Sequence, residues 1–258
     1  MKETLARVVR DAGQFVEQLP LTVLQEKEGV GNVQLRADIE SQALLVKEIM
    51  SHFPHIQIIA EENGLEKIPH DLSGTFAIID ALDGSTNRSV GLPLWGISVG
   101  IVQNREIVAG AMYDRLSGKV FVAESGKGAF LDGERMHPLP DHPLRRAIVV
   151  TSPGYDFERD WVPNNRRANE AMRRGGAQIR IFGSSVCDLA MLAEGNIHVY
   201  TEETIKPWDI AGGIAVVREL GCVATTYSGE LDIFHPMGVV IGVPTAVREF
   251  IELTKHIR

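Results

Sequence analysis

The chain of 258 residues has little cysteine, only Cys187 and Cys222, and few aromatic residues, at 6%. Neither cysteine sits in a paired motif, which argues against a disulfide framework or a zinc knuckle and for reduced, buried thiols. Long apolar runs are missing too. The longest, near Leu92 to Val102, falls well short of the roughly 20 residues that a membrane-spanning helix needs. Met1-Lys2-Glu3-Thr4 has none of the apolar character of a signal peptide, so a soluble cytoplasmic protein is expected. Positive charge is in the minority, with 26 Lys and Arg against 34 Asp and Glu, a formal charge of −8. Nucleic acids and membrane surfaces are polyanions that select for basic faces, and this balance argues against a broad footprint for either. A small phosphate ester is not excluded, because divalent cations held by acids turn the local field positive. Internal repeats and low-complexity tracts are absent.

What is present is a regular alternation of apolar patterns. Helical spacing over Leu5 to Leu24 and Ile39 to Phe53 predicts two amphipathic helices. The polar stretch Gln25 to Asp38 between them, with Lys27, Gly29 and Gly31, predicts a loop or a short exposed ribbon. Ile56 to Ala60 reads as a strand that stops at Glu61-Glu62-Asn63-Gly64. Trp95–Val102, Ile107–Asp114, Val120–Ala123 and Gly128–Leu131, separated by turn signals, predict an antiparallel meander. Pro138, Pro140 and Pro143 mark a break between residues 1–143 and an alternating strand and helix half, 144–258. In that second half strands are expected at Ala147–Thr151, Ile179–Phe182, His198–Glu202, Cys222–Tyr227 and Val239–Val243. Helices are expected at Asn164–Arg174, Ser184–Ala193, from Lys206 to Leu220, and from Pro244. Arg166, Arg167, Arg173 and Arg174 read as a solvated basic face, and His52 and His55 as solvent-facing loop residues, since no further ligand follows at zinc-like spacing.

The chemistry concentrates in Phe76-Ala77-Ile78-Ile79-Asp80-Ala81-Leu82-Asp83-Gly84-Ser85-Thr86-Asn87. An apolar, β-branched run ends in two carboxylates three residues apart, then a glycine and two hydroxyls, which reads as a strand entering a tight polar turn. Two such acids can point at one hard cation while Ser85 and Thr86 stay available to a ligand. An EF-hand calcium loop needs oxygens at alternate positions before its glycine, and Ala81 and Leu82 break that alternation. An acidic surface turn is the plain alternative. Glu61 and Glu62, beside Gly64, repeat the same logic at a second strand end. Asp38 before the Ile39 helix and Asp209 near the start of the 206–220 helix both read first as helix caps, favoured there by exposed amides and the macrodipole. Trp208, Ala211, Gly212 and Gly213 around Asp209 would let that helix approach its neighbours closely.

In order and spacing, Ala60-Glu61-Glu62, Asp80-Ala81-Leu82-Asp83-Gly84-Ser85-Thr86-Asn87 and Trp208-Asp209-Ile210-Ala211-Gly212 resemble the inositol monophosphatase family of magnesium-dependent, lithium-sensitive phosphatases, in the wider group that includes fructose-1,6-bisphosphatases. The resemblance covers nearly the whole chain. It implies an α+β fold, a layered α-β-α-β-α sandwich forming a single phosphatase domain over 1–258, with the site between the two halves and a homodimer as the common assembly. Glu61, Asp80 and the Leu82 carbonyl would surround one Mg²⁺, and Asp80, Asp83 and Asp209 a second; a third, weaker ion would lie beside Glu61. Gly84, Ser85 and Thr86 would hold the phosphate. Glu61 and Ser85 would orient and deprotonate the attacking water, with Asp38 behind Ser85. The chain departs from the family pattern at Ala81, Ser85 and Arg88, where proline, threonine and phenylalanine are usual, and at Asn32-Val33-Gln34-Leu35. None of these is an implied magnesium ligand.

Glu202, seven residues ahead of Asp209, matches the family position that accepts hydrogen bonds from sugar hydroxyls, and Asp209 borders the substrate as well. A phosphorylated polyol is therefore the expected small-molecule partner, inositol 1-phosphate first. Arg88 offers two further readings, a guanidinium that meets a second phosphate, as in fructose 1,6-bisphosphate, or an exposed loop arginine. A regulatory or RNA-associated binding role on the same fold is the alternative of another class.

Overall fold

A computed structural model describes residues 1–26, 33–152, 154 and 156–257. Lys27, Gly29, Gly31 and Asn32 of the expected polar loop lie outside the described residues. Helix α1 (Lys2–Gln18) buries Leu5, Val8, Val9, Ala12 and Val16 along one stripe, the spacing of an amphipathic helix. It ends earlier than the apolar periodicity predicts. Leu19 precedes Pro20 and is extended, at φ −78° and ψ 143°, as the steric demand of a following proline requires. The chain then forms β1 (Val23–Glu26), which pairs antiparallel with β2 (Val33–Leu35). Helix α2 spans Arg36–His52 and begins before Ile39.

Strands β3 (Gln57–Ala60), β4 (Thr75–Asp83), β5 (Gly96–Gln103), β6 (Glu106–Asp114), β7 (Lys119–Glu124), β8 (Gly128–Leu131) and β9 (Glu134–Arg135) form a seven-stranded sheet in sequence order. All neighbours are antiparallel except β3 and β4, which run parallel. Between β4 and β5 lies the short helix α3 (Ser85–Ser89), which the sequence reading did not anticipate. The second sheet, ordered β11-β10-β12-β14-β13, uses β10 (Ile148–Thr151), β11 (Gln178–Arg180), β12 (Val199–Thr204), β13 (Val223–Thr226) and β14 (Met237–Gly242). Its helices are α4 (Val162–Arg173), α5 (Ser185–Ala193), α6 (Pro207–Glu219) and α7 (Pro244–Thr254).

Helices α1 and α2 cover the outer face of the first sheet; α5 and α6 fill the space between the sheets; α4 and α7 cover the outer face of the second. This is the layered α-β-α-β-α arrangement. Close approach of the central layer depends on small residues. A Cβ on Gly212 would stand 2.6 Å from Ser98 Oγ and 2.8 Å from the Ala111 carbonyl oxygen, so only glycine lets α6 lie flat on β5 and β6. One apolar core joins residues of both sheets through α5 and α6, including Phe76, Val150, Leu189 and Ile214; a second lies under α1 and α2.

Two expectations on charged residues need correction. Arg167 is no part of a solvated face: it is 5% exposed, donates to Glu203 at 2.5 Å and to the Thr254 carbonyl at 2.8 Å, and covers the Tyr227 ring. Arg173 and Arg174 do form surface pairs, with Glu170. Arg88 is neither exposed nor turned toward a ligand of the acidic turn. It is 4% exposed and donates to the Val16 and Leu19 carbonyls at 2.7 and 2.8 Å, closing the C-terminus of α1, where a cation meets the negative end of the helix.

Candidate active site

Strand β4 is buried except at its two end residues, Thr75 and Asp83, and carries Asp80, 1% exposed, near its end. In a regular strand, residues three apart face opposite sides. Here the register with β5 slips, Asp80 facing Ser98 and Asp83 facing Gly96, so one extra β4 residue is inserted between them. That bulge brings Asp83 back to the side of Asp80. The Leu82 amide donates to Asp80 Oδ1 at 3.0 Å and fixes the local turn. Gly84 follows with φ +85°, and a Cβ there would meet the Leu94 carbonyl at 2.6 Å, so both conformation and space call for glycine.

Asp209 arrives from the other half. It is the third residue of α6, and its Oδ2 accepts the Lys206 amide at 3.0 Å. One carboxylate oxygen each from Asp80, Asp83 and Asp209 lies within 4.8 Å of the others. Glu61, just past β3, lines the same cleft. The Gln42 carboxamide brackets the neighbouring Glu62 backbone, donating to its carbonyl at 2.6 Å and accepting its amide at 2.8 Å, which sets the strand end that carries Glu61. Leu82, Gly84, Ser85 and Thr86 line the cleft as well. Larger grooves, one beside Arg174 and His256 and another beside Arg105 and Arg218, gather no comparable set of acids among the described residues.

Ser85 Oγ is 2.5 Å from Asp38 Oδ1 and 2.9 Å from the Leu82 carbonyl oxygen. Asp38 is the third residue of α2 rather than the residue before the helix; its Oδ2 accepts the Leu35 amide at 2.7 Å. Capping is thus achieved from inside the first turn, with the second oxygen left for Ser85.

The electrostatics of the cluster are those of crowded, desolvated acids. Burial, then Glu61, Asp83 and Asp209, push the Asp80 carboxyl well above its ordinary range, and Asp209 is raised by burial and by Asp83 and Glu61. Burial raises Asp83 to about 6 against the opposing hydrogen bonds from Ser184 and Val186. Three hard oxygen donors that repel one another at this separation fit a divalent cation such as Mg²⁺, which relieves that repulsion.

Glu202, on β12, is 4% exposed and raised to about 7 by burial, opposed by hydrogen bonds from Tyr200 and Ser152. The Tyr200 hydroxyl donates to it at 2.6 Å. Asp83 raises Glu202 electrostatically, and both raise Asp188, which places Glu202 toward the acid cluster.

Several residues that build the site went unread in the sequence. Ser184 Oγ and the Val186 amide, the latter at 2.8 Å, donate to Asp83 Oδ2. The Asn87 carboxamide donates to the Leu94, Phe182 and Gly183 carbonyls at 2.9, 2.8 and 3.1 Å and ties α3 to the start of α5. Asp188 is 2% exposed and its Oδ1 has no hydrogen-bond partner among the described residues. The signal available for Ser184 and Ser185 was their position after Gly183, which announces a helix cap but not what the cap touches.

The geometry has counterparts among known proteins. A model of the inositol monophosphatase family matches residues 2–255. The chain is 32% identical over 207 residues to a Thermotoga maritima protein named fructose-1,6-bisphosphatase/inositol-1-monophosphatase, covering 80% of this chain and 76% of that protein. It is 30% identical over 260 residues to the Vibrio cholerae Nus factor SuhB, covering 98% and 93%. The crystal structure of the extragenic suppressor protein suhB from Bartonella henselae superposes with a TM-score of 0.86 at 26% identity, covering 98% and 97%.

Proposed function

The chain belongs to the inositol monophosphatase family of phosphomonoesterases, and from that premise we propose that it acts as one domain to release phosphate from a small phosphorylated polyol, inositol 1-phosphate first, with Mg²⁺. The observation that carries this reading is the convergence of Asp80, Asp83 and Asp209 oxygens within 4.8 Å. Asp80, Asp83 and Asp209 would hold one ion, and Glu61, Asp80 and the Leu82 carbonyl another, Asp80 serving both. When bound there, Mg²⁺ supplies an acidified water and charge stabilisation for the leaving oxygen.

The protein groups then have separable tasks. With its proton on Asp38, Ser85 Oγ presents only lone pairs, so it accepts from the attacking water and fixes its direction. Glu61 takes the proton from that water. Gly84, Ser85 and Thr86 cradle the phosphate through the turn that the Gly84 backbone permits. Glu202, already supplied with donors by Tyr200 and Ser152, accepts from the hydroxyls of the leaving polyol. The burial of Arg88 against α1 removes the guanidinium that offered an alternative reading with a second phosphate, and a bisphosphate is accordingly the secondary substrate. A homodimer is the assembly we propose, to be read by light scattering.

The test is a phosphate-release screen over polyol, sugar and nucleotide phosphates, with Mg²⁺ and with a chelator. Chelator-sensitive release from inositol 1-phosphate is the expected result; no release from any member refutes the assignment. A second reading, a regulatory or RNA-associated binding role, takes its support from a relative named Nus factor SuhB that matches over 98% of the chain. Its test is a pull-down with RNA and protein partners in rising salt. The charge of −8 predicts that any contact made is to protein.

A further inference from the structure

The first turn of α5 reaches both the acid cluster, through Asp83, and Glu202, through Tyr200. Ser184 and Ser185 are adjacent, 3% and 8% exposed, and their hydroxyls go to different sheets. Ser184 precedes the helix with an extended backbone, at φ −152° and ψ 111°, and Ser185 is its first residue, so the two side chains leave in different directions. Ser184 Oγ donates to Asp83 Oδ2, at the end of β4. Ser185 Oγ lies 2.9 Å from the Tyr200 hydroxyl, which in turn donates to Glu202 Oε2 at 2.6 Å on β12.

Proton counting fixes the direction of the second chain. Tyrosine has one hydroxyl proton and a carboxylate has none. With Glu202 ionised, that proton goes to Glu202, and the tyrosine oxygen accepts from Ser185. The ionised Glu202 is held by donors of the protein and keeps acceptor capacity for ligand hydroxyls. On the other side, two donors on Asp83 Oδ2 leave Oδ1 for a cation. The Asn87 carboxamide secures the same junction through the Phe182 and Gly183 carbonyls.

We propose that Ser184 and Ser185 are positioning residues that divide the work of the site: Ser184 sets cation affinity through Asp83, and Ser185, acting through Tyr200, sets recognition of the leaving group through Glu202. The division rests on the phosphatase reading given above. Groups that orient a metal ligand from behind typically change affinity 10- to 100-fold when removed, whereas a hydrogen bond relayed to a substrate contact changes only the affinity for that substrate.

The test uses the full chain and two readouts. Calorimetric titration of metal-free protein with MgCl₂ measures the first, and KM for inositol 1-phosphate at saturating Mg²⁺, against an aryl phosphate without hydroxyls, measures the second. Ser184→Ala should weaken Mg²⁺ binding roughly tenfold and leave the polyol KM within about twofold of wild type. Ser184→Thr, which keeps both the hydroxyl and the cap, should recover Mg²⁺ affinity. Tyr200→Phe should raise the polyol KM roughly tenfold and Ser185→Ala about threefold, with the aryl phosphate and Mg²⁺ affinity unmoved. The double variant should be no worse than Tyr200→Phe alone. Parallel changes in both constants for either serine, or additive effects of Ser185→Ala and Tyr200→Phe, overturn the division. A wild-type chain that binds Mg²⁺ but releases no phosphate refutes the phosphatase reading and the Ser185 assignment with it, while calorimetry still decides Ser184.

Discussion

The carboxylates at the end of β4 and the one on β12 are handled in opposite ways. At the β4 end, Asp80, Asp83 and Asp209 face one another, and each is held by protein donors from behind: Leu82 N–H on Asp80, Ser184 and Val186 on Asp83, Lys206 N–H on Asp209. Their repulsion is left for an external cation to cancel. At the β12 end, Glu202 is satisfied from within by the hydroxyls of Tyr200 and Ser152. On the proposed function, the first end is unfinished until a divalent ion relieves that repulsion, and the second is finished in the sense that protein hydroxyls already engage its carboxylate.

Removing one acid from the unfinished end should have the largest effect. Asp83→Asn is expected to lower kcat/KM at saturating Mg²⁺ by roughly a thousandfold or more, measured by phosphate release; retention of activity would erase the distinction between the ends. Next comes pH. The folded-state values of Asp83 and Glu202, about 6 and about 7, lie above their ordinary 3.8 and 4.5, and Asp80, Asp188 and Asp209 are raised too. The native state therefore binds more protons than the unfolded chain across this window, and stability falls as pH rises from about 4 through about 7. In a chelator the melting temperature should drop by roughly 5 °C or more over that range. With Mg²⁺ the share due to Asp80, Asp83 and Asp209 should vanish while that of Glu202 and Asp188 persists. Equal slopes with and without Mg²⁺ would contradict the contrast.

A smaller effect is expected at the finished end. Glu202→Gln should raise KM for a polyol phosphate about tenfold and spare an aryl phosphate, with Mg²⁺ half-saturation unchanged. Smallest for catalysis is Arg88→Met. It should cost about 2 kcal/mol of stability through the lost hydrogen bonds to α1, read by chemical denaturation, and leave the ratio of bisphosphate to monophosphate turnover as it was. A shift in that ratio would return Arg88 to the ligand.

How much of this was legible in the sequence follows from how local each signal is. Strand β4 and its terminal acids were readable because an apolar run, two carboxylates and a glycine sit within a few residues, and β5 to β8 because turn residues separate them. Layering and family followed from the order of three motifs. Asp38 and Asp209 were read as caps, and both do cap, but from the third helical position. A side chain that reaches back to a preceding amide leaves the same composition as one that reaches forward, so the start of α2 was placed late. The end of α1 was missed because the helical periodicity continues past the proline that stops it. Arg88 and Arg167 were misread for a different reason: their partners, Val16 and Leu19 for one, Glu203 and Thr254 for the other, lie far along the chain. Distance along the chain likewise hid Ser184 behind Asp83, whereas Ser185 reaches Glu202 only through Tyr200, a relay that leaves no mark in the sequence.

The central claim is that Asp80, Asp83 and Asp209 hold divalent ions where a phosphate ester is cleaved. Crystals grown with MnCl₂ and inorganic phosphate, measured at the manganese absorption edge, test it most directly. The account predicts two anomalous peaks about 3.5–4 Å apart among these carboxylates, with phosphate against the Gly84–Thr86 turn. An empty cluster, with manganese elsewhere on the molecule, would contradict it.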